Sequence, residues 1–417
     1  MPHPGRRQPN SAPVGPDWSY WPTRVLGHCD PATLGHRAST HRVISPAETW
    51  VAVQPMLETA GITRVADLTW LDDLGIPTFQ AVRPASLTLS VSQGKAPTHR
   101  AAQVSAVMES LETWHAENVA PDLLFATTAD LGPTLTYDPT RLRQQPGSLY
   151  HPGAKLDWMV ATTLLTGRRT WLPWAAVAVN IAVGQHWGAP MFTMDTSGLA
   201  SGNSYYEAAL HALYEIMERH CLATAKPGMT LFEVPLDDVA DSASAELVER
   251  ILRAGSQLQI ARIDTWDDFY CFAAELTSEM ADVPFCGFGL HHDPNVALSR
   301  AITEAAQSRL TAISGAREDL SPAIYHRFAR LHTYGPAARP MQSIPAAQPT
   351  PWHIDCTDSL IDLIAAAATA VATRSGTEPL AAVCDLADSC VPVVKVVAPG
   401  LTASARSPIR TPLPESA

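Results

Sequence analysis

Glutamates recur at helical spacing in three separate stretches of the sequence. An α-helix has about 3.6 residues per turn, so residues at i, i+4 and i+7 lie on one face. The polar residues at this spacing are Ser105, Glu109 and Glu112, then Asn203, Glu207, Glu215 and Glu218, and finally Arg300, Glu304 and Gln307. We therefore predict three helices, each with a polar face that is rich in carboxylates.

These glutamates have few basic partners on their own helices. A solvated helix face usually places lysine or arginine four residues after a glutamate, but here only Glu215 has such a partner, Arg219. Carboxylates that met in space without cations would repel one another. Mg²⁺ suits hard oxygen ligands and often bridges them to substrate phosphates, and Arg219 and Arg300 could bind phosphate oxygens. The pattern indicates a metal–nucleotide site, or three solvated faces if the helices do not converge.

The usual phosphate-binding motifs are absent from the sequence. The stretch "SQGKAPTHR" contains Gly94 and Lys95 but lacks the rest of a P-loop. No G-x-G-x-x-G follows a predicted strand, and "CGFGLHHD" matches no phosphate motif. Any nucleotide site in this chain therefore depends on the glutamates and arginines, not on a glycine-rich loop.

The composition is that of a globular protein and argues against several classes. Hydrophobic residues make up 46% of the 417 residues, and the net charge of −12 argues against a general binder of nucleic acids. There is no apolar run long enough to span a membrane and no secretory signal. Seven scattered cysteines without a C-x-x-C favour reduced thiols. We expect a cytoplasmic protein.

The predicted elements mix strands and helices without a fixed repeat. We predict a hairpin in "LLTGRRTWLPWAAVAV" with its turn at Thr166–Gly167, and late strands in "AAVCDLA" and "VPVVKVVAPG". A long helix in "DSLIDLIAAAATAVATRSG" is expected to end at Gly376. Prolines predict an extended connection over 334–352. The ends, 1–20 and 403–417, are predicted to be flexible tails. This mixture indicates an α/β or α+β class.

Taken together, these stretches resemble the YcaO family. The resemblance covers most of 39–320 and comprises several separated motifs in the order that the family has. It implies an α+β fold, with mixed β-sheets flanked by helices that carry a glutamate-rich Mg-ATP site. It also implies a single domain over 21–402, with the nucleotide-binding motifs in 90–320, and a homodimer. The implied cofactors are ATP and Mg²⁺.

The resemblance assigns roles to individual residues. Magnesium contacts are implied for Glu109, Glu112, Glu207, Glu215, Glu218 and Glu304. Nucleotide contacts are implied for Lys95, Ser105, Asn203, Arg219, Arg300, Gln307 and Arg317, and Asp319 lies beside the last of these in "SGAREDL". Two positions depart from the family pattern: Ala96 follows Lys95 where a glycine is frequent, and His220 replaces a frequent aspartate. A neutral His220 makes the site one unit less negative.

The implied chemistry is activation of a peptide backbone amide. A nucleophile adds to the amide carbon, the oxyanion takes the γ-phosphoryl group of ATP, and phosphate leaves; magnesium and arginine would neutralise the developing charge. A neighbouring side chain gives an azoline, an amine gives an amidine, and external sulfide gives a thioamide. We expect cyclodehydration of a ribosomally synthesised precursor peptide. The alternatives are thioamidation with a sulfur-donating partner and a non-catalytic module that binds a leader peptide or a partner protein.

Both chain ends bear on this choice. The C-terminal "RTPLPESA" has two of the three prolines found in partner-dependent azoline formers, which favours a stand-alone or differently partnered enzyme. The N-terminal "THR…SPAETW" resembles members linked to thioamidation. Nothing in the sequence names the peptide.

Several further residues have a simple structural interpretation beside a functional one. His211 and Glu215 are four residues apart and could bind zinc, although no H-E-x-x-H is present. His291 and His292 are candidates for a catalytic base, but pocket lining is the favoured interpretation. Cys221 is expected to be a small buried residue. Trp114 and Trp158 are expected to serve the core.

Overall fold

We analysed a computed structural model of the chain, which describes residues 25–26, 29–37, 40–179, 191–240, 242–278, 281–320 and 344–403. The predicted tail at 1–20 lies outside these residues, as do 404–417 and the first part of the predicted connection, 334–343. The rest of that connection contains no helix. All seven cysteines are free thiols, as predicted. None of the helices found in the described ranges has the length and apolar character needed to cross a membrane.

Helices and strands alternate irregularly along the chain. The helices are α1 (Pro46–Val53), α2 (Met56–Thr59), α3 (His99–Asn118), α4 (Thr128–Leu131), α5 (Trp174–Val177), α6 (Tyr205–Thr224), α7 (Leu236–Val239), α8 (Ala245–Arg253), α9 (Pro294–Ser314) and α10 (Leu360–Ser375). The strands are β1 (Arg64–Asp67), β2 (Thr78–Val82), β3 (Val91–Lys95), β4 (Leu124–Thr127), β5 (Lys155–Thr163), β6 (Arg169–Pro173), β7 (Leu199–Ser201), β8 (Leu231–Val234), β9 (Gln257–Ile263), β10 (Tyr270–Ser278), β11 (Ala281–His291), β12 (Leu380–Val383) and β13 (Val393–Val397).

The strands form three antiparallel sheets. The first has the order β1-β2-β3, the second β11-β10-β9-β8, and the third β4-β5-β12-β13-β7 with β6 beside β5. Antiparallel sheets combined with helices make the fold α+β, as the resemblance implied. The two predicted late strands are β12 and β13, and the helix before them ends at Gly376, which has the left-handed φ of 70°.

The predicted hairpin is confirmed, but its second half is shorter than the apolar pattern. Strands β5 and β6 pair with Thr162 opposite Arg169, and Gly167 in the turn has a φ of 66°. The second strand ends at Pro173, after which Trp174–Val177 form the short helix α5. Apolar alternation alone does not distinguish these two outcomes over a short run.

The three carboxylate-bearing helices are confirmed, with one correction. Helices α3, α6 and α9 begin after Thr98, Ser204 and Asp293, whose side chains accept backbone N–H groups of the first turn. Asn203, which we placed on the second helix, therefore lies before its N-cap. The small residues before Ser204 form strand β7 instead.

Each long helix packs on a different sheet. Helix α3 lies on β2 and β3, α9 on β10 and β11, and α6 on β7 and β13. Small side chains on α6, such as Ala208 and Ala212, are fully buried and allow close approach. Trp158 is also fully buried and donates to the Ala126 carbonyl at 2.9 Å, so its predicted core role is confirmed. Trp114 packs against the core while partly buried, as expected.

Glycines on β11 set the distance between this strand and α9. A Cβ at Gly287 would lie 2.2 Å from the Ala301 carbonyl oxygen and 2.2 Å from the Ala305 amide nitrogen. Both atoms belong to the backbone of α9, so neither moves without shifting the helix. The absence of a side chain at Gly287 therefore helps to position the polar face that α9 carries.

We expect Gly287→Ala to destabilise the protein by about 3 kcal/mol, because overpacking of a rigid contact costs roughly 1–3 kcal/mol or more. Denaturant unfolding followed by circular dichroism measures the change. The matched control is Gly153→Ala, whose Cβ would meet only the His151 side chain at 3.3 Å. Equal stability of the two variants would contradict the close packing.

Candidate functional site

The polar faces of α3, α6 and α9 converge. Five of the six glutamates interact electrostatically with one another: Glu109, Glu112, Glu215, Glu218 and Glu304. The convergence brings in a cation from another element, since Lys95 at the end of β3 donates to Glu304 at 2.8 Å. Arg219, on α6 itself, lies 3.5 Å from the Glu215 carboxylate. The three faces are therefore one site and not three separate solvated surfaces.

Four of the five carboxylates of this cluster, all but Glu304, have a raised pKa because of burial. Burial, with the Glu304 charge adding to it, raises the pKa of Glu109 to about 7, although Lys95 opposes the shift. Burial and the Glu304 charge likewise raise the pKa of Glu218 to about 7. Burial also disfavours the charged form of Glu304, but Lys95 and Arg300 hold its pKa below the usual value. Full ionisation of the cluster therefore requires additional positive charge.

Buried polar atoms at the site lack partners among the described residues. They are the Nε atoms of Arg219 and Arg300, the Oε1 atom of Gln307 and the Nε2 atom of Gln93. An unsatisfied buried polar group costs about 1–3 kcal/mol. These donors and acceptors fit a polar, anionic ligand that would lie between α6 and α9.

The donor set also fits magnesium carried by a nucleotide. In the described part of the chain, no three of these carboxylates form a ready-made cation site. Mg²⁺ is usually bound through one or two carboxylates together with phosphates and water. The glutamates would hold the ions and the two arginines the phosphate oxygens, since guanidinium groups match phosphate geometry.

Asn203 and Glu207 lie at a different end of α6 and have protein partners. Glu207 accepts the Val43 N–H at 2.8 Å and the Asn203 side-chain amide at 3.0 Å, and Arg42 lies 3.5 Å away. Thr49 donates to Asn203 at 2.9 Å. These contacts tie the segment before α1 to α6. A metal contact of Glu207 and a nucleotide contact of Asn203 stay predictions.

The other predicted nucleotide contacts are spread around the cluster. Arg317 donates to both Asp319 oxygens, at 2.9 and 2.6 Å, and also interacts with Glu109. Ser105 is half-buried on α3. His220 hydrogen-bonds with Thr402, and burial lowers its pKa, so it adds no charge at neutral pH. Their roles toward a nucleotide stay predictions.

Two basic residues at the site were not predicted from the sequence. Lys395 on β13 is only 2% exposed, donates to the Asp195 carbonyl at 2.5 Å and interacts with Glu215 and Glu112. Arg42 interacts electrostatically with both Glu207 and Arg300. Lys395 could have been recognised in the sequence, because it is the single lysine inside the apolar run "VPVVKVVAPG" and a buried lysine needs a charged or polar partner.

A small cavity of about 20 Å³ adjoins one end of the cluster. Its lining includes His41, Glu207, His211, Tyr214, His291 and Arg300. Among the described residues, His211 and Glu215 are not part of a group of three histidine, cysteine or acidic side chains close enough to hold one metal ion. The geometry therefore does not support the zinc pair. Burial lowers the pKa of His291 and brings that of His292 to about 3. A general base works best with a pKa near the working pH, so neither suits that role alone.

Cys221 is fully buried and accepts the Trp266 indole N–H at 3.1 Å. This confirms the expected structural role.

The sequence model of the YcaO cyclodehydratase family, described as ATP- and Mg²⁺-binding, matches residues 93–402. The chain belongs to the YcaO family. ATP and Mg²⁺ are the cofactors that membership assigns to it. The match begins two residues before Lys95 and ends just beyond β13, so it spans all three long helices.

Known relatives agree with this assignment. An uncharacterized protein of Mycobacterium tuberculosis is 70% identical over 402 residues, which are 96% of this chain and 92% of that protein. An uncharacterized protein from the tfuA 3′ region of Rhizobium leguminosarum bv. trifolii is 38% identical over 69% of this chain and 71% of its own. YcaO from Methanopyrus kandleri, solved with AMPPCP and Mg²⁺, has a TM-score of 0.68 at 21% identity, over 89% and 95% of the chains. The last comparison supports the fold.

We expect Arg300→Ala to weaken Mg-ATP binding at least tenfold, because a hydrogen bond to a charged group contributes about 1.5–3 kcal/mol. Isothermal titration calorimetry with a non-hydrolysable analogue measures the affinity. Arg253→Ala on α8 is the matched control, since Arg253 is exposed and interacts only with Glu249 among the ion pairs of the described residues. An unchanged affinity of the Arg300 variant would remove Arg300 from the phosphate contacts.

Proposed function

We propose that this protein uses Mg-ATP to phosphorylate a backbone amide oxygen in a ribosomally synthesised peptide, and that loss of phosphate gives an azoline or an amidine. The observation that carries the proposal is the convergence of carboxylates from α3, α6 and α9 beside two half-buried arginines, Arg219 and Arg300, whose Nε atoms are buried and unsatisfied. This arrangement suits charge neutralisation during phosphoryl transfer, which needs positioning and electrostatic stabilisation more than covalent chemistry.

The chain's own residues would divide this work. Arg219 and Arg300 would hold phosphate oxygens, and Lys95 would keep Glu304 ionised for metal binding. Bound magnesium would neutralise charge on the transferred group. The cavity beside Arg300 and Glu207 is the place where we put the amide, since it adjoins the cluster. A solved heterocyclase bound to substrate and cofactor has the same fold, with a TM-score of 0.68 at 20% identity.

Thioamidation is the second candidate. The relative from the tfuA 3′ region and the resemblance of "THR…SPAETW" to members linked to thioamidation favour it. It requires a sulfur donor and therefore a partner protein or free sulfide. A non-catalytic binding module is disfavoured, because none of the six glutamates is missing. The partners we propose are a precursor peptide, a protein for leader recognition or sulfur delivery, and a second copy of the chain.

Mass spectrometry of a candidate precursor peptide, encoded beside this gene, tests the proposal. The peptide is incubated with enzyme and Mg-ATP, with and without sulfide. A loss of ~18 Da means cyclodehydration, and a gain of ~16 Da that depends on sulfide means thioamidation, as expected for water loss and O-to-S exchange through a phosphorylated amide. An unmodified peptide in both reactions, with ATP still bound, would support the binding-module alternative. The control is the same incubation of peptide and enzyme without ATP.

A further inference from the structure

Three histidines that are distant in the sequence meet in the interior. His41 lies before α1, His291 ends β11, and His292 follows it. Their exposed fractions are 6%, 5% and 6%. Each ring offers one nitrogen, and the three nitrogens lie within 4.8 Å of one another. Within the described ranges, these three histidines form a group whose ligand atoms are close enough together to hold one metal ion.

The distances suit a tetrahedral metal ion. His41 Nδ1 and His292 Nε2 are 3.3 Å apart. Two nitrogens bound at 2.0–2.1 Å to a tetrahedral zinc ion are separated by about 3.4 Å. The His291 ring packs against both others, with centroids 4.1 Å from His292 and 4.9 Å from His41. Little movement is needed to bring three nitrogens around one ion.

Outer partners orient two of the rings. The Asp293 carboxylate lies 3.3 Å from His41 Nε2, and the Tyr214 hydroxyl lies 2.5 Å from His292 Nδ1. A histidine that donates its outer N–H to such a partner presents its other nitrogen, unprotonated, to a metal. A metal would be bound by the nitrogens of His41 and His292 that face each other, with the outer N–H groups of the two rings donated to Asp293 and Tyr214.

His291 Nδ1 accepts the Asp293 N–H at 3.0 Å and is therefore unprotonated too. This ring would exchange that hydrogen bond for a metal contact, or turn about its Cβ–Cγ bond.

We propose that His41, His291 and His292 bind one transition-metal ion of the Zn²⁺ class, separately from the magnesium held by the glutamates. Imidazole ligands select such an ion over Mg²⁺, which prefers oxygen. Three histidines leave a fourth position for a water or a substrate atom. His41 and His291 line the cavity that also contains Glu207 and Arg300, so this position is reachable from the cavity.

The test uses the full-length protein, freed of metal with a chelator and then held in excess Mg²⁺ to occupy oxygen sites. Titration with Co²⁺ is followed by visible absorption, and Zn²⁺ is then added as competitor. We expect one equivalent of Co²⁺ to give the intense band of a tetrahedral nitrogen site, and one equivalent of Zn²⁺ to remove it. The readout is independent of ATP turnover and of the peptide reaction.

Variants locate the site. His41→Ala and His292→Gln should each weaken Co²⁺ binding at least a hundredfold, with folding checked by circular dichroism, whereas the exposed His151→Ala should bind as the wild type does. No tetrahedral band in the wild type would overturn the proposal. The cluster would then be a chain of neutral hydrogen bonds from Tyr214 through His292 and His41 to Asp293. A band that persists in both cluster variants would overturn it as well.

Discussion

Replacing Glu218 by alanine will lower Mg²⁺-dependent ATP turnover by at least about a hundredfold, the loss typical of removing one electrostatic group that stabilises a transition state. Glu218 is buried between Glu215 and Glu304, and its charge would help to hold magnesium. Phosphate release, measured with and without Mg²⁺, reports the change. The alanine variant also leaves the Leu290 N–H without its acceptor, which Glu218 provides at 3.1 Å.

A second variant separates this structural contact from catalysis. Glu218→Gln keeps an oxygen that can accept the Leu290 N–H but removes the charge, so it should be at least as stable as the wild type and still lose turnover. The exposed Glu249→Gln on α8 is the matched control and should be fully active. Full activity of both Glu218 variants would remove this residue from the magnesium site.

The free energy of unfolding of the magnesium-free protein will depend on Glu109. Its pKa is about 7 in the folded protein, against 4.5 as the ordinary value. The folded state therefore binds this proton more tightly than the unfolded state does. The stabilisation that the Glu109 proton gives to the folded state is complete below pH ~4.5 and is lost as pH rises to ~7. It amounts to about 1.4 kcal/mol per unit of pKa shift.

The comparison with Glu109→Gln isolates this contribution. The buried histidines, whose pKa values are lowered, titrate with the opposite sign in both proteins and cancel in the difference. Between pH 4.5 and 8 in EDTA, the variant should gain up to about 3 kcal/mol relative to the wild type. Urea unfolding at each pH measures it. Mg²⁺ with a non-hydrolysable ATP analogue should reduce the gap, because it stabilises ionised Glu109. A gap that is constant with pH would contradict the buried, protonated carboxyl.

Much of the fold and the site followed from local patterns. Helices α3, α6 and α9 were predictable because a carboxylate-bearing face repeats with the helical period and because Thr98, Ser204 and Asp293 are good N-caps. The Thr166–Gly167 turn and the end of α10 at Gly376 were predictable because glycine is favoured where φ is positive. The family followed from the order of these motifs.

The start of α6 shows where local reasoning stopped. Asn203 and Glu207 have helical spacing, yet the helix begins at Tyr205 because the Ser204 side chain caps it and the preceding residues pair as β7. Asn203 then turns to Thr49 and Glu207. Strand β7 pairs with β13, which lies far along the chain, and this pairing keeps the residues before Ser204 out of the helix. The local spacing of residues does not predict such a long-range contact.

What the sequence by itself determined is the three carboxylate-bearing helices, the helix that ends at Gly376, and the family. What only the tertiary structure decided is that these faces meet, since convergence depends on contacts between segments far apart in the chain and not on any local period. The same packing places Lys395 against Glu112 and Glu215, and His41 against His292, 251 positions away. Burial in that packed interior also raises the pKa of Glu109 and lowers that of His292, because it removes the water that would solvate a charge.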